Sequence, residues 1–427
     1  MQRLRARRSS YHNGMLTRRH WLATSTAALT AATVKASAPS LKNRSAEAKP
    51  ITVAERLERI AHAQRLMQEK NIDAITLIGG TSLVYFSGIR WWNSERLFVM
   101  IIPKRGEPFF VSPAFEEDRA REQITAGLGP DRRQVFTWQE DESPYERVAF
   151  GLKERGMATG QIGIEERVTF VFADGIGKAI PSATVTSATP ITAGCRMIKS
   201  AHELDLMRLA NQATLQAYEW SWRQLHDGMT QREFGSLISS AYGQLGFPGE
   251  ASVMVGIYSA LPHGSVQPQI IREGQIILID DGCTVEGYQS DISRSFVLGK
   301  PSDKMRRVFD IVHQAQAAAL KTARPGVAAG DVDAAARDVI TASGYGPDYK
   351  YFTHRVGHGI GMDGHEWPYL VRGNKLALAP NMTFSDEPGI YIPGEFGIRL
   401  EDDMHITENG AELFTPQSAS LEHPFGT

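Results

Sequence analysis

The chain has 427 residues, 42% hydrophobic and 22% charged, enough for two domains of roughly 150 and 230 residues that each bury a core. A formal net charge of −2 gives no electrostatic reason to expect a nucleic-acid partner. The two cysteines, Cys195 and Cys283, do not make a disulfide framework, and Cys283 is expected to be a buried hydrophobe.

The first twenty residues are basic, with Arg3, Arg5, Arg7, Arg8 and the pair Arg18-Arg19. An Ala/Thr-rich stretch follows and ends in Ala36-Ser37-Ala38. The run TRRHWLA resembles a twin-arginine signal over residues 1–38, with cleavage after Ala38 and delivery to the periplasm. Met15 as the start would leave a shorter signal, and the alternative reading is a disordered basic arm. The stretch contains Lys35 and is too polar for a stable membrane span, so none is expected after signal removal.

Residues 39–52 read as a polar linker. Val53, Leu57, Ile60, Leu66 and Met67 then fall at helical spacing and predict a helix over Val53 to Lys70. Apolar strands at Ala74–Ile78, Leu97–Pro103 and Pro108–Val111 alternate with helical stretches to about Thr192, which predicts an α/β domain over 53–195. The tandem Trp91-Trp92 in SGIRWWNSERLF belongs either to that domain's core or to a substrate pocket. Capping boxes at Ser200-x-x-Glu203 and Thr230-x-x-Glu233 open two helices and start a second domain over 196–427.

Two segments of that second domain read as hairpins carrying paired carboxylates. In IILIDDGCTVEGYQSDISRSFVLG, a turn centred between Val285 and Glu286 sets Asp280 opposite Asp291. In FSDEPGIYIPGEFGIRLEDDMHIT, a turn centred on Gly394 sets Glu387 opposite Glu401. Like charges directly opposed across a sheet are destabilising. Four such acids, with His358 in HRVGHGIGMDGHEW as an imidazole, instead suit two divalent cations, and the flanking glycines allow close backbone approach. Asp281 rivals Asp280 as ligand, although the interval to Asp291 favours Asp280 and alternation turns Asp281 to the other face. Arg399, two residues before Glu401 on the same strand face, is placed to orient that carboxylate, whereas Tyr391 is either a site contact or core.

The motifs Asp280-Asp281-Gly282, SDISRSF, GHGIG, EPGIY and GIRLED arrive in the order seen in the pita-bread metallopeptidases. Over about residues 50–420 the chain resembles their Xaa-Pro aminopeptidase and prolidase branch, with a creatinase-like N-terminal domain. That resemblance implies an α/β N-terminal domain followed by an α+β pita-bread catalytic domain, assembled as a homodimer or higher homo-oligomer. It also implies that Asp280 and Asp291 hold one ion, Asp291 and Glu401 bridge, and His358 with Glu387 complete the other. An oxygen-rich shell without thiolate suits Mn²⁺, Co²⁺, Fe²⁺ or Zn²⁺, and among these the resemblance alone implies Mn²⁺ as the first choice. His263, His354 and His365 match histidines of the family's substrate site. Two closely spaced ions lower the pKa of a water and polarise a carbonyl, with Glu387 as general base and His365 or His263 donating to the developing oxyanion.

Three functional readings follow. The favoured one is an exported exopeptidase acting at Xaa-Pro bonds of peptides. The second is a non-peptidase enzyme on the same scaffold, either a metal-dependent lyase or a creatinase-like hydrolase; creatinase-type enzymes work without the metal cluster. The third is a binding module, but such relatives lose the ligands that this chain keeps.

Overall fold

The computed structural model describes residues 40–130 and 133–426, so the basic leader with Arg18-Arg19 and Ala36-Ser37-Ala38 lies outside the described residues. Among the described residues no helix is long and apolar enough to cross a membrane.

The stretch expected to be a linker is instead a docked strap. Leu41 N–H donates to Gln244 Oε1 (3.1 Å) and Arg44 N–H to Leu245 O (2.8 Å), both at the end of helix Gln231–Leu245. Leu41, Ala48 and Ile51 are widely spaced, so the segment looks polar as a string while its few apolar side chains reach the core of the second half. Helix Val53–Lys70 then starts at Thr52, whose hydroxyl accepts from Glu55 N–H while the Glu55 carboxylate accepts from Thr52 N–H. It ends at Asn71 in the left-handed region, φ 55°.

Six strands follow: β1 (Ala74–Leu77), β2 (Val99–Pro103), β3 (Phe109–Pro113), β4 (Val135–Trp138), β5 (Gln161–Ile164) and β6 (Thr184–Ser187). They form one sheet in the order β4-β3-β2-β1-β5-β6, antiparallel at β1/β2 and β2/β3 and parallel elsewhere. Three of the four inner strands, β1, β2 and β3, are buried along their whole length because helices cover both faces. Ile60, Met67, Leu83 and Phe86 fill one side, and Val148, Leu152, Phe172 and Ile176 the other. The tryptophan pair divides: Trp91 stacks on Phe98 at 4.0 Å, whereas Trp92 is 82% exposed.

The second half holds two helix pairs, each packed on a sheet. Helices Ala201–Trp222 and Gln231–Leu245, both opened by the expected capping boxes, cover strands Ser252–Val255, Ile276–Asp280 and Arg294–Val297. Helices Asp303–Thr322 and Ala329–Ile340 cover a five-stranded sheet that contains Gly357–Gly359, Thr383–Asp386 and Asp402–Ile406. Each pair therefore backs one carboxylate hairpin. The α/β half followed by an α+β half agrees with the fold class expected from sequence.

Register decides where the acids point. The second hairpin pairs Ile392 with Phe396 and Gly389 with Arg399, and the flanking strands pair Asp386 with Asp402, so Glu387 faces Glu401. The first hairpin differs from the expected register. Its turn is Glu286-Gly287, both residues at positive φ (49° and 92°), as a tight two-residue hairpin turn requires. Arg294 consequently pairs with Ile279, and Ser293 rather than Asp291 stands opposite Asp280.

Candidate active site

Asp280 ends its strand, and the chain then leaves regular pairing at Asp281, which sits at φ 95°. That irregular stretch and the short hairpin beyond it return Asp291 to the cluster from outside the ladder. Ser293 fills the place opposite Asp280, where its hydroxyl lies 2.6 Å from both Asp280 Oδ1 and Glu401 Oε2. His358 comes from the strand Gly357–Gly359. A Cβ on Gly357 would lie 2.0 Å from Ser385 O, so bare backbone there lets the His358 strand close on its neighbour.

These residues converge. Donor atoms of Asp280, Asp291 and Glu401 lie within 4.8 Å of one another, as do those of His358, Glu387 and Glu401. The two triads share Glu401, and a third joins Asp291, His358 and His365. His358 Nε2 is 3.3 Å from Glu387 Oε1 and 3.8 Å from Asp291 Oδ2. Its Nδ1 lies 3.2 Å from Gly359 O, an acceptor that places the ring proton on Nδ1 and leaves the Nε2 lone pair facing the acids. Asp281 stays outside: its Oδ2 accepts from Ser252 N–H (3.0 Å) and Ser252 Oγ–H (2.8 Å).

The electrostatics of the cluster call for cations. Burial, reinforced by the neighbouring carboxylates, pushes Asp291 and Glu401 well above the usual carboxylate range. Burial likewise pushes Glu387 up to about 8. Asp280 goes the other way, because Arg399 beside it and the Ser293 hydroxyl outweigh its burial. His358 is pushed down to about 3 by burial and by the adjacent His365, which keeps it neutral as a ligand must be. Four carboxylates and one neutral imidazole, with His358 and Glu401 buried and Asp280, Asp291 and Glu387 half-buried, fit a pair of divalent cations.

A cleft of about 350 Å³ opens onto the cluster and is lined by His263, His354, Arg355, His365 and Arg399. Arg399 forms a close ion pair with Asp280 and donates from Nε to Ser293 Oγ (2.8 Å), while its distance to Glu401 is 3.9 Å. Its partner is thus Asp280 more than Glu401. Tyr391 is buried between Arg399, which donates to its hydroxyl (3.1 Å), and His354 Nε2 (2.7 Å). His354 Nδ1 donates to Arg355 O (2.8 Å), so Nε2 accepts from the tyrosine. His365 stacks on His358 at 3.7 Å, and Arg355 donates to its Nδ1 (3.1 Å), leaving the proton on Nε2.

Several residues of the site are not among those singled out from sequence. Ser293 and Ser385 hold ligand carboxylates, and Asp403 Oδ2 accepts from Asp291 N–H (3.0 Å) and from Asn211 (2.9 Å). Behind them Arg294 and Asp402 form a fully buried ion pair at 2.6 Å. The acid run Glu401-Asp402-Asp403 at the start of the strand Asp402–Ile406 was the available signal.

A buried clasp fixes the loop that carries His365. Asp363 accepts from Thr81 (2.6 Å) and Arg196 (2.7 Å), and Glu366 from Arg196 and from Lys199 (2.6 Å). Burial pushes the Glu366 carboxyl up, but Lys199 and Arg196 outweigh it and hold it below its ordinary range. Removing Lys199 leaves Glu366 with Arg196 as its remaining cationic partner, so Lys199→Met is expected to lower stability by roughly 1.5–3 kcal/mol, the worth of one hydrogen bond to a charged group. Urea unfolding measures this, and a loss under about 1 kcal/mol, the worth of an exposed pair, would show the clasp to be solvated.

Comparison with known proteins supplies the family. Residues 205–408 match the model of metallopeptidase family M24, and residues 59–198 match that of the creatinase/prolidase N-terminal domain. The chain is 32% identical over 365 residues to a Xaa-Pro dipeptidase of Lactobacillus helveticus, covering 84% of this chain and 97% of that protein. Among solved structures, dipeptidase PepE of Mycobacterium ulcerans is similar at a TM-score of 0.81 and 32% identity, with 88% of this chain and 99% of that one covered. A prolidase from Thermococcus sibiricus is similar at a TM-score of 0.76 and 29% identity, with 84% and 97% covered. Likeness at this level runs through both halves and not only through the ligand motifs, so the chain belongs to metallopeptidase family M24, a creatinase/prolidase-type N-terminal domain preceding a pita-bread catalytic domain.

Proposed function

We propose that this metallopeptidase hydrolyses Xaa-Pro peptide bonds as an exopeptidase of the dipeptidase or aminopeptidase P type, with two divalent cations, Mn²⁺ in the first instance. The observation that carries the reading is the convergent five-residue donor cluster, buried or half-buried throughout, opening on a cleft lined with arginine and histidine. Cations held by Asp280, Asp291, His358, Glu387 and Glu401 would supply Lewis acidity and lower the pKa of the attacking water. Glu387, whose carboxylate lines the cleft, is placed to take a proton from that water. As the carbon–nitrogen bond breaks, the same group returns the proton to the proline nitrogen. His365, with its proton on Nε2, is the donor for the carbonyl oxygen as negative charge develops there. Tyr391 and Arg399 act at one remove, holding His354 and Asp280 in place. Arg355 and His263, on the wall of the same cleft, suit the free carboxylate of a dipeptide.

Purified protein reconstituted with Mn²⁺, Co²⁺ or Zn²⁺ is expected to release proline from Xaa-Pro dipeptides and to act less well on Xaa-Pro-Xaa tripeptides. Absence of cleavage on both panels at every pH would overturn the peptide-bond reading in favour of a lyase or a binding role. The proposed assembly is a homodimer or higher homo-oligomer, which sedimentation would measure.

Export by the twin-arginine route is the corresponding proposal for the leader. It is supported by Arg18-Arg19 and by the Ala36-Ser37-Ala38 end. Changing both arginines to lysine should leave the precursor in the cytoplasm, and the exported protein should begin at Pro39 or within a few positions of it. Wild-type yield in the periplasm from the double-lysine variant would point to another route.

A further inference from the structure

The two clefts that meet at the cluster differ in polarity. With the cluster residues Asp280, Asp291, His358, Glu387 and Glu401 set aside, the polar lining of the one of about 350 Å³ is Arg355, Arg399 and three histidines, His263, His354 and His365. The other, of about 460 Å³, is lined by Glu250 and Asp281 and by no lysine or arginine. Asp291 and His365 border both, so a peptide whose scissile bond lies at the cluster extends from one cleft into the other. An unblocked Xaa-Pro dipeptide has the same polarity, with an α-ammonium on its first residue and a carboxylate on its proline.

Within the acidic cleft the two carboxylates are not equivalent. Asp281 is committed, since its Oδ2 accepts two hydrogen bonds from Ser252. Glu250 is exposed, and its carboxylate forms no ion pair among the described residues. Its backbone N–H donates to Gly282 O (3.2 Å), which anchors it on the cleft wall. Gly249, Gly282 and Gly364 line the same space without side chains and leave room for a long one.

We propose that this cleft receives the residue preceding proline and that Glu250 selects a cationic side chain there, lysine or arginine. The assignment rests on the Xaa-Pro reading above. It makes Glu250 a specificity-determining residue that contacts the substrate side chain and takes no part in bond cleavage.

The test is kcat/KM of the metal-loaded full chain on Lys-Pro, Arg-Pro, norleucine-Pro, Ala-Pro and Glu-Pro. Norleucine matches the lysine stem without its charge. The ratio of Lys-Pro to norleucine-Pro is expected to be roughly tenfold, the effect of one charge-assisted contact, and to fall to about one in Glu250→Gln. Glu250→Lys should turn the preference toward Glu-Pro. A ratio near one in the wild type, or one that Glu250→Gln leaves intact, overturns the proposal. If Glu250→Gln lowers Ala-Pro as much as Lys-Pro, the carboxylate serves the substrate's α-ammonium and the side-chain assignment is wrong. If no Xaa-Pro dipeptide is cleaved at all, the peptide-bond reading itself has failed and the cleft assignment falls with it.

Discussion

Asp291→Asn protein is expected to lose bound metal and Xaa-Pro hydrolysis together while remaining folded. Asp291 and Glu401 each contribute to two of the three groups of converging donors, so the Asp291 carboxylate is one of the two charges most shared within the site. Asparagine keeps the shape and one oxygen, and the backbone N–H of residue 291 would still be held by Asp403. What disappears is one negative charge. Loss of metal affinity should exceed the roughly 10–100-fold that follows removal of an outer hydrogen-bond partner, because Asp291 is one of the proposed direct donors. Hydrolysis should fall by at least roughly 10²–10⁴-fold. Metal-free Asp291→Asn should be no less stable than metal-free wild type, since a buried like charge has been removed from the cluster. Elemental analysis showing wild-type metal content in the variant would sink the bridging role, and loss of the folded state would show that Asp291 is structural first.

The parts of this site that were legible in the sequence are those governed by local rules. The turn Pro393-Gly394-Glu395 has its glycine at φ 76° and centres the second hairpin, and that register sets Glu387 against Glu401. Ser200-x-x-Glu203 and Thr230-x-x-Glu233 opened their helices because a capping box needs only four consecutive residues. The first hairpin was displaced because the choice of turn residues is a small energetic difference with a large geometric effect. Moving the turn to Glu286-Gly287 replaces Asp291 by Ser293 opposite Asp280. Long-range charge pairing was not legible at all. Arg294 and Asp402, or Arg196, Asp363 and Glu366, look like surface charges in the string, and only folding removes them from water. The strap over residues 41–51 was misread for the related reason that three scattered apolar residues carry its docking.

Removing the metals should make the protein's stability fall as pH rises from about 6.5, where an ordinary histidine titrates, to about 8, where the buried Glu387 does. Glu387 and Asp403 each have a carboxyl that burial pushes up to about 8. A carboxyl raised in the folded state binds more protons there than in the unfolded chain. Its contribution is complete below the unfolded value and is lost as pH rises through the folded one. His358 and His354, both pushed down to about 3 by burial, act in the opposite direction. They favour folding increasingly up to the ordinary histidine value near 6.5 and then stop changing. Asp280, held below its ordinary range chiefly by Arg399 against its burial, matters only in stronger acid. Between about 6.5 and 8 the raised carboxyls are therefore left unopposed, and the metal-free protein should lose on the order of a few kcal/mol. Cations supply the opposite charge, so the loaded protein should show little of this decline and should bind metal more tightly as pH increases. Urea unfolding of chelated and reconstituted protein at pH 6.5, 7.2 and 8 measures both limbs. A metal-free protein whose stability is flat or rising across that window would show that the carboxylates are already compensated within the chain, and the case for a paired-cation site would fail.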